Sequence, residues 1–217
     1  MDEVTMDSLI LALLEGDAAG SVAQAKHLQG SGVSNEHIVR DGVEAAMSTL
    51  DAKCTLEQFN LLEIMLVGRA VMEVMKYLFP SGAPAQDAAH TIVIATLEGD
   101  VHDLGKNIFK MILTGNGYRV IDCGKDCSLR TLMEAALREM PVAVGISGLI
   151  SPVVPVVRQV KSLLKEMGLD RVKVIAGGAA LKQLSPERLN VDYVAESAFD
   201  GMGYIAAIVS GRTHEQP

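Results

Sequence analysis

Residues 80–85 read Pro-Ser-Gly-Ala-Pro-Ala, and no helix or central strand continues through two prolines and a glycine in six positions. The hydrophobic period changes across this break. Before it, apolar residues recur at helical spacing; after it, short β-branched runs alternate with helical stretches. The chain therefore divides into residues 1–79, a linker at 80–89 and residues 90–217, and each half must bury its own core. With 217 residues, 49% of them hydrophobic and 21% charged, there is apolar surface enough for both, and a disordered chain is excluded.

The first half reads as four helices. An apolar run from Leu9 to Leu14 stops at Gly16, and Asp17 is placed to cap a second helix that ends near Gly30. Ser34 offers a capping hydroxyl to a third helix carrying Ile38, Val43, Ala46, Met47 and Leu50. A fourth begins after Thr55 with Glu57 or Gln58 in its capping turn, and Leu61, Met65, Gly68, Met72 and Met75 fall on one face, which reads as core packing. The second half offers strands at Thr91–Thr96, Tyr118–Ile121, Val142–Ile146, Val172–Ala176 and Val191–Val194. The expected fold is α/β: an N-terminal four-helix bundle followed by a flavodoxin-like five-stranded parallel sheet of order 2-1-3-4-5. Ligands of such sheets bind beyond the carboxyl ends of the strands.

Composition narrows the partners. Asp and Glu outnumber Lys and Arg by 27 to 19, for a net charge of -8, and no basic cluster could track a phosphate backbone, so nucleic acid is excluded. The acidic start Met1-Asp2-Glu3 is unlike an export or mitochondrial signal. The longest uncharged run, 140–157, is broken by Pro141, Pro152 and Pro155, which argues against a membrane span. Cys54, Cys123 and Cys127 are too few and too irregular for a disulfide framework and read as free thiols, so a cytoplasmic location is expected.

The chemistry gathers at strand ends. After the first strand comes Glu98-Gly99-Asp100-Val101-His102-Asp103-Leu104-Gly105, which contains Asp-x-His-x-x-Gly; Ser147-Gly148-Leu149 follows the third strand and Gly177-Gly178 the fourth. Imidazole is a good ligand for a first-row metal, and its second nitrogen needs an orienting acceptor, for which Asp100 is suitably placed. Glycines at four such positions lack the side chains that would fill a slot between sheet and helix.

In these motifs and their spacing the chain resembles the cobalamin-binding domains of methionine synthase, of B12-dependent mutases and of the corrinoid proteins of methyltransferase systems. The similarity to the corrinoid proteins covers most of the chain and is sharpest between Thr91 and Ala180. It implies cobalamin held base-off and His-on, with His102 as the axial ligand to cobalt, Asp100 orienting it and Ser147 extending the hydrogen-bonded chain. It also implies that the corrinoid lies against Gly99, Val101, Asp103, Leu104 and Gly105 of the first loop and Gly148, Leu149 and Ser151 of the third. From the later loops come Gly177, Gly178, Ala179, Glu196 and Ala198. In the helical half Leu61 stands where a shield for the upper corrin face is expected, with Asp41 a further candidate. Asp51, Cys54 and Leu62 replace the family's usual glycine, phenylalanine and proline, so a less tightly covered upper face is expected.

The resemblance further implies a methyl shuttle that is non-catalytic alone. Cobalamin in its Co(I) state would accept a methyl group from a substrate:corrinoid methyltransferase. A second, corrinoid:acceptor methyltransferase would pass it to tetrahydrofolate or a thiol, and a reductive activator would rescue oxidised cobalt. Demethylase systems of anaerobes are the leading expectation, with an aryl methyl ether ahead of methylamine, methanol or betaine as donor. Two readings compete: the cobalamin subunit of a B12-dependent mutase, against which the helical half argues, and a B12-sensing regulatory module, for whose output segment 217 residues leave no room. A response regulator would need an aspartate where Ser147 stands, and a flavodoxin a hydroxyl-rich loop where Glu98-Gly99-Asp100 stands.

Overall fold

The computed structural model describes residues 5–55, 61–80 and 90–211, the side chains of residues 51–55 and of Leu61 excepted. The chain falls into two compact units, Met1–Pro80 and Ser81–Pro217. Most of the expected linker, and Glu57 and Gln58, lie outside the described residues.

The first unit is helical: α1 (Met6–Leu14), α2 (Ala18–Gly30), α3 (Asn35–Ile38), α4 (Glu44–Thr55) and α5 (Leu61–Leu78). The Asp17 carboxylate accepts the Gly20 amide at 2.9 Å, and the Ser34 hydroxyl accepts the His37 amide at 3.2 Å. These caps satisfy donors that a helix cannot satisfy internally. A π-helical turn, Val39–Val43, joins α3 to α4 into the single expected helix. Its wider winding brings Ile38 and Val43, five positions apart, to the interior together. Gly42 lies against α1: a Cβ there would stand 2.8 Å from Leu9 Cδ2 and 3.1 Å from Met6 Sδ.

The buried face of α5 differs from the expected one. Val67, Ala70, Val71, Val74, Met75 and Leu78 are buried, whereas Met65 is 63% exposed and Gly68 and Met72 are only half-buried. Valine and alanine are short enough to let α5 pack closely on the Ser21, Ala25 and Leu28 face of α2. The longer methionines, Met75 apart, fall beside that seam rather than in it.

The second unit is a five-stranded, all-parallel sheet of order β2-β1-β3-β4-β5. Its strands are β1 (Thr91–Thr96), β2 (Arg119–Asp122), β3 (Ala143–Ser147), β4 (Lys173–Gly177) and β5 (Tyr193–Ala195). All but β1 begin a residue or two later than the sequence suggests. On one face α6 (Leu104–Gly115) and α10 (Ala198–Ser210) pack on Ile92, Ile94, Ile175 and Tyr193 through Leu113 and Ile205. On the other, α7 (Leu129–Glu139) and α8 (Val154–Glu166) cover Val93, Val144, Ile146, Val174 and Val194. A short α9 (Pro186–Leu189) precedes β5. Covering both faces is what makes the central strands β1 and β3 almost continuously apolar and buried. Among the described residues, no helix is long and apolar enough to cross a membrane.

Replacing Gly42 with alanine is expected to lower the unfolding free energy of the helical unit by about 1–3 kcal/mol, the usual cost of overpacking. Urea denaturation followed by circular dichroism measures it.

Candidate functional site

At the carboxyl ends of the strands, one side chain gathers the loops. Asp100 is fully buried, and each of its carboxylate oxygens is engaged. Oδ1 accepts the His102 amide at 2.9 Å and faces His102 Nδ1 at 2.7 Å. Oδ2 accepts the Leu149 amide at 2.7 Å and the Ile150 amide at 3.4 Å. Burial alone would raise the Asp100 pKa, but the hydrogen bonds outweigh it and hold the carboxyl below its ordinary value. An ionised Asp100 can only accept, so the proton of that short bond sits on His102 Nδ1, and in the neutral ring Nε2 is then the nitrogen with a free lone pair. The His102 ring is half exposed, 50% by side-chain surface. The geometry therefore presents one oriented imidazole nitrogen at the rim of the sheet.

The hydrogen-bonded chain expected through Ser147 is not the one formed. Among the described residues, no hydrogen bond joins Ser147 to Asp100; from the loop after β3 it is the amides of Leu149 and Ile150 that reach the carboxylate. Ser147 instead stands beside Gly105, where an added Cβ would meet only its Oγ, at 3.4 Å. Thr96, fully buried, donates to the His102 carbonyl at 3.4 Å and ties the loop back to β1.

The strand register lines up Thr96, Ser147, Gly177 and Ala195, a row of small residues across the sheet on the face covered by α6 and α10. One step earlier in each strand the row reads Ile94, Gly145, Ile175 and Tyr193. Phe109 closes that level, since a Cβ on Gly145 would lie 3.0 Å from its ring and one on Gly201 3.3 Å. Above this floor the side chains are short: a Cβ on Gly177 would make only ordinary van der Waals contact, with the Ala195 carbonyl at 3.7 Å. Such a strip, free of long side chains at the carboxyl ends of the strands, suits a narrow ligand moiety between sheet and helices.

The four glycines do two different jobs. Gly105 and Gly177 border the strip. Gly148 is enclosed, an added Cβ falling 2.9 Å from Leu181 and from Val153. Gly178 has φ +98, and its Cβ would fall 2.5 Å from the Gly148 carbonyl. These two let the loops after β3 and β4 close on each other, joined by the Gly148 amide donating to the Gly177 carbonyl at 2.9 Å. The exposed side chains of Val101 and Leu149 flank His102. Ser151 opens a short 3-10 turn ahead of α8, and Ala179 lies half-buried after the double glycine. Asp103 and Leu104 begin α6, Glu196 is exposed, and Ala198 opens α10 after the Ser197 cap. In the helical unit Asp41 pairs with Arg40 and His37, at 2.9 and 3.1 Å. The Leu61, Asp51 and Cys54 side chains lie outside those described, and Leu62 is 63% exposed.

Sequence reasoning missed a second buried pair. Lys106, directly after Gly105 and 3% exposed, reaches Asp122 at the end of β2 at 2.7 and 2.9 Å, and Lys110 joins at 3.2 Å. Asp122 also accepts the Gly124 amide at 2.9 Å. Burial works to raise its pKa, but Lys106 and that amide bring it below the ordinary carboxylate value. The neighbouring Cys123 thiol is driven the other way, to about 11, by burial and by Cys127 and Asp122. Both thiols are free and serve packing.

The chain belongs to the B12-binding family: residues 90–202 match its B12 binding domain, and the histidine loop and the strip of small residues lie within that span. Dimethylamine corrinoid protein 1 of Methanosarcina acetivorans is 33% identical over 76% of this chain and 79% of its own. Trimethylamine corrinoid protein 1 of the same organism is 27% identical over 91% and 94%. The solved structure of the Methanosarcina barkeri monomethylamine corrinoid protein superposes with a TM-score of 0.76 at 26% identity, over 93% of this chain and 96% of that one.

Lys106→Met should destabilise the protein by about 3 kcal/mol, the low end for a broken buried pair because Lys110 stays beside Asp122. The depressed Asp122 pKa makes its contribution complete above the unfolded value near 4, and that contribution is lost as the pH falls through the lower folded value. Urea titrations between pH 6 and 3 should therefore show a flatter pH dependence in Asp122→Asn than in the unsubstituted protein.

Proposed function

We propose that this chain carries cobalamin as the methyl shuttle of a methylamine methyltransferase system, with His102 Nε2 as the lower axial ligand to cobalt. The observation that carries the reading is the Asp100–His102 pair: a fully buried, ionised carboxylate fixes one ring nitrogen and leaves the other at the sheet rim. An imidazole so oriented is a pre-set metal ligand, and a carboxylate behind it raises its basicity. Bound there, the corrinoid supplies a cobalt centre able to accept and release a methyl group.

The chain's own residues would do the rest. Asp100 keeps the Nδ1 proton in place and so holds the tautomer. Val101 and Leu149 offer apolar surface beside the ligand. The strip of Thr96, Ser147, Gly177 and Ala195, entered past Gly105, would receive the displaced nucleotide tail, which is the base-off, His-on arrangement. Ser151, Ala179, Glu196 and Ala198 stand at its loops. Residues 1–79 are the helical cap of this reading, and Leu62, Met65 and Leu66 at the start of α5 are exposed apolar residues.

The named relatives move the expected donor from an aryl ether to a methylated amine. A methylamine:corrinoid methyltransferase would load the carrier, an acceptor methyltransferase would unload it, and a reductive activator would return oxidised cobalt to use, within the cytoplasm.

Reconstitution with cobalamin is expected to give tight binding with a base-off absorbance spectrum, changed in His102→Ala. Tight binding with the same spectrum in both proteins would remove His102 as the ligand. Methyl transfer from mono-, di- and trimethylamine by their cognate methyltransferases identifies the donor, and transfer from none of them refutes a methylamine.

A further inference from the structure

The loop after β2 is zipped along the loop that carries His102. The Thr96 amide donates to the Gly124 carbonyl at 3.0 Å, the Cys127 amide to the Thr96 carbonyl at 3.0 Å, and the Glu98 amide to the Cys127 carbonyl at 2.9 Å. The last two bonds extend the sheet by one bridge, Leu97 against Cys127. Beyond that bridge the two chains would part, and there Asp126 takes over. Its amide donates to the Asp100 carbonyl at 3.0 Å, and its Oδ1 accepts the Gly99 amide at 2.9 Å. One residue thus grips the Gly99–Asp100 segment at both a donor and an acceptor.

Two backbone features show that the grip is built. Asp126 sits at φ 50, in the left-handed region that side chains other than those of Asn and Asp rarely occupy. Gly99, its partner, sits at φ 93. Both departures occur where the chain must turn Asp100 inward, away from water. Asp126 itself is exposed, so core packing does not explain its place.

We infer that Asp126 is a positioning residue for the histidine: by holding Gly99 and Asp100 it fixes the carboxylate that orients His102. It acts through Asp100, since its own hydrogen bonds go to Gly99 and Asp100 and not to the imidazole. For cobalt ligation the inference rests on the function proposed above; for the geometry of the Asp100–His102 pair it stands alone.

Two substitutions separate the acceptor from the backbone. Asp126→Gly removes Oδ1 while tolerating a positive φ, and Asp126→Asn keeps an acceptor oxygen in a residue that also tolerates it. In the full chain without cobalamin, Asp126→Gly should speed hydrogen exchange at the Gly99 amide and shift the NMR resonances of the His102 ring, with Asp126→Asn close to the unsubstituted protein. After reconstitution with cobalamin, Asp126→Gly should bind about 2- to 10-fold more weakly, the worth of one hydrogen bond, with a smaller histidine-ligated fraction in the absorbance spectrum. Unchanged exchange and ring resonances in Asp126→Gly overturn the inference, as does equal impairment in Asp126→Asn. His102→Ala distinguishes the two readings. If it leaves the cobalamin spectrum unaltered, ligation by His102 fails, while the cofactor-free resonances still decide whether Asp126 positions the ring.

Discussion

A negative charge without water around it is the condition on which the carboxyl edge of this sheet depends. Burying a carboxylate costs several kcal/mol unless donors replace its hydration. Asp100 finds donors only because loops from different strands arrive together: its own turn supplies the His102 amide and ring, and the loop after β3 supplies the amides of Leu149 and Ile150. The demand for donors thus sets where those loops lie. Gly148 and Gly178 belong to the same solution, since only residues without side chains let the loops after β3 and β4 approach so closely.

A second charge repeats the device one strand away. Asp122 ends β2, and Lys106 comes from the first turn of α6, so their contact fixes the helix that follows the histidine loop to the strand beside β1. The loop leaving Asp122 then runs along the histidine loop through backbone bonds. A buried carboxylate and a half-buried one, at the ends of adjacent segments, hold the edge from opposite sides.

Much of this was legible in the residues. The β-branched runs and the strand order came from periodicity and connection rules, and the proximity of Asp100 and His102 follows from their separation by one residue. What escaped has a common cause. The donors to Asp100 are mostly main-chain amides, which every residue owns, so nothing in a Leu-Ile pair marks it as an anion's partner, and the resemblance pointed instead to the Ser147 hydroxyl. Glycine is equally mute: the same letter stands for room at Gly105 and Gly177 and for close contact at Gly148 and Gly178. The stripe through Met65 and Met72 misled because helical spacing locates a face but not its partner, and the valines beside it suited the neighbouring helix better. A π turn is hidden for the same reason, since Ile38 and Val43 look out of step until the helix is wound wider.

The tapering of side-chain volume along the strands gives the sheet two unlike ends. Toward the amino ends the layer under α6 and α10 is filled by Ile92, Ile94, Ile175 and Tyr193, and Tyr193 stacks on Tyr204 with ring centroids 4.3 Å apart. Toward the carboxyl ends it thins to hydroxyls, hydrogens and a methyl. Dispersion contacts are individually small and add up with the number of atoms that meet, so the layer between sheet and helices is held most firmly toward its amino end and least at the carboxyl edge that carries Asp100 and His102.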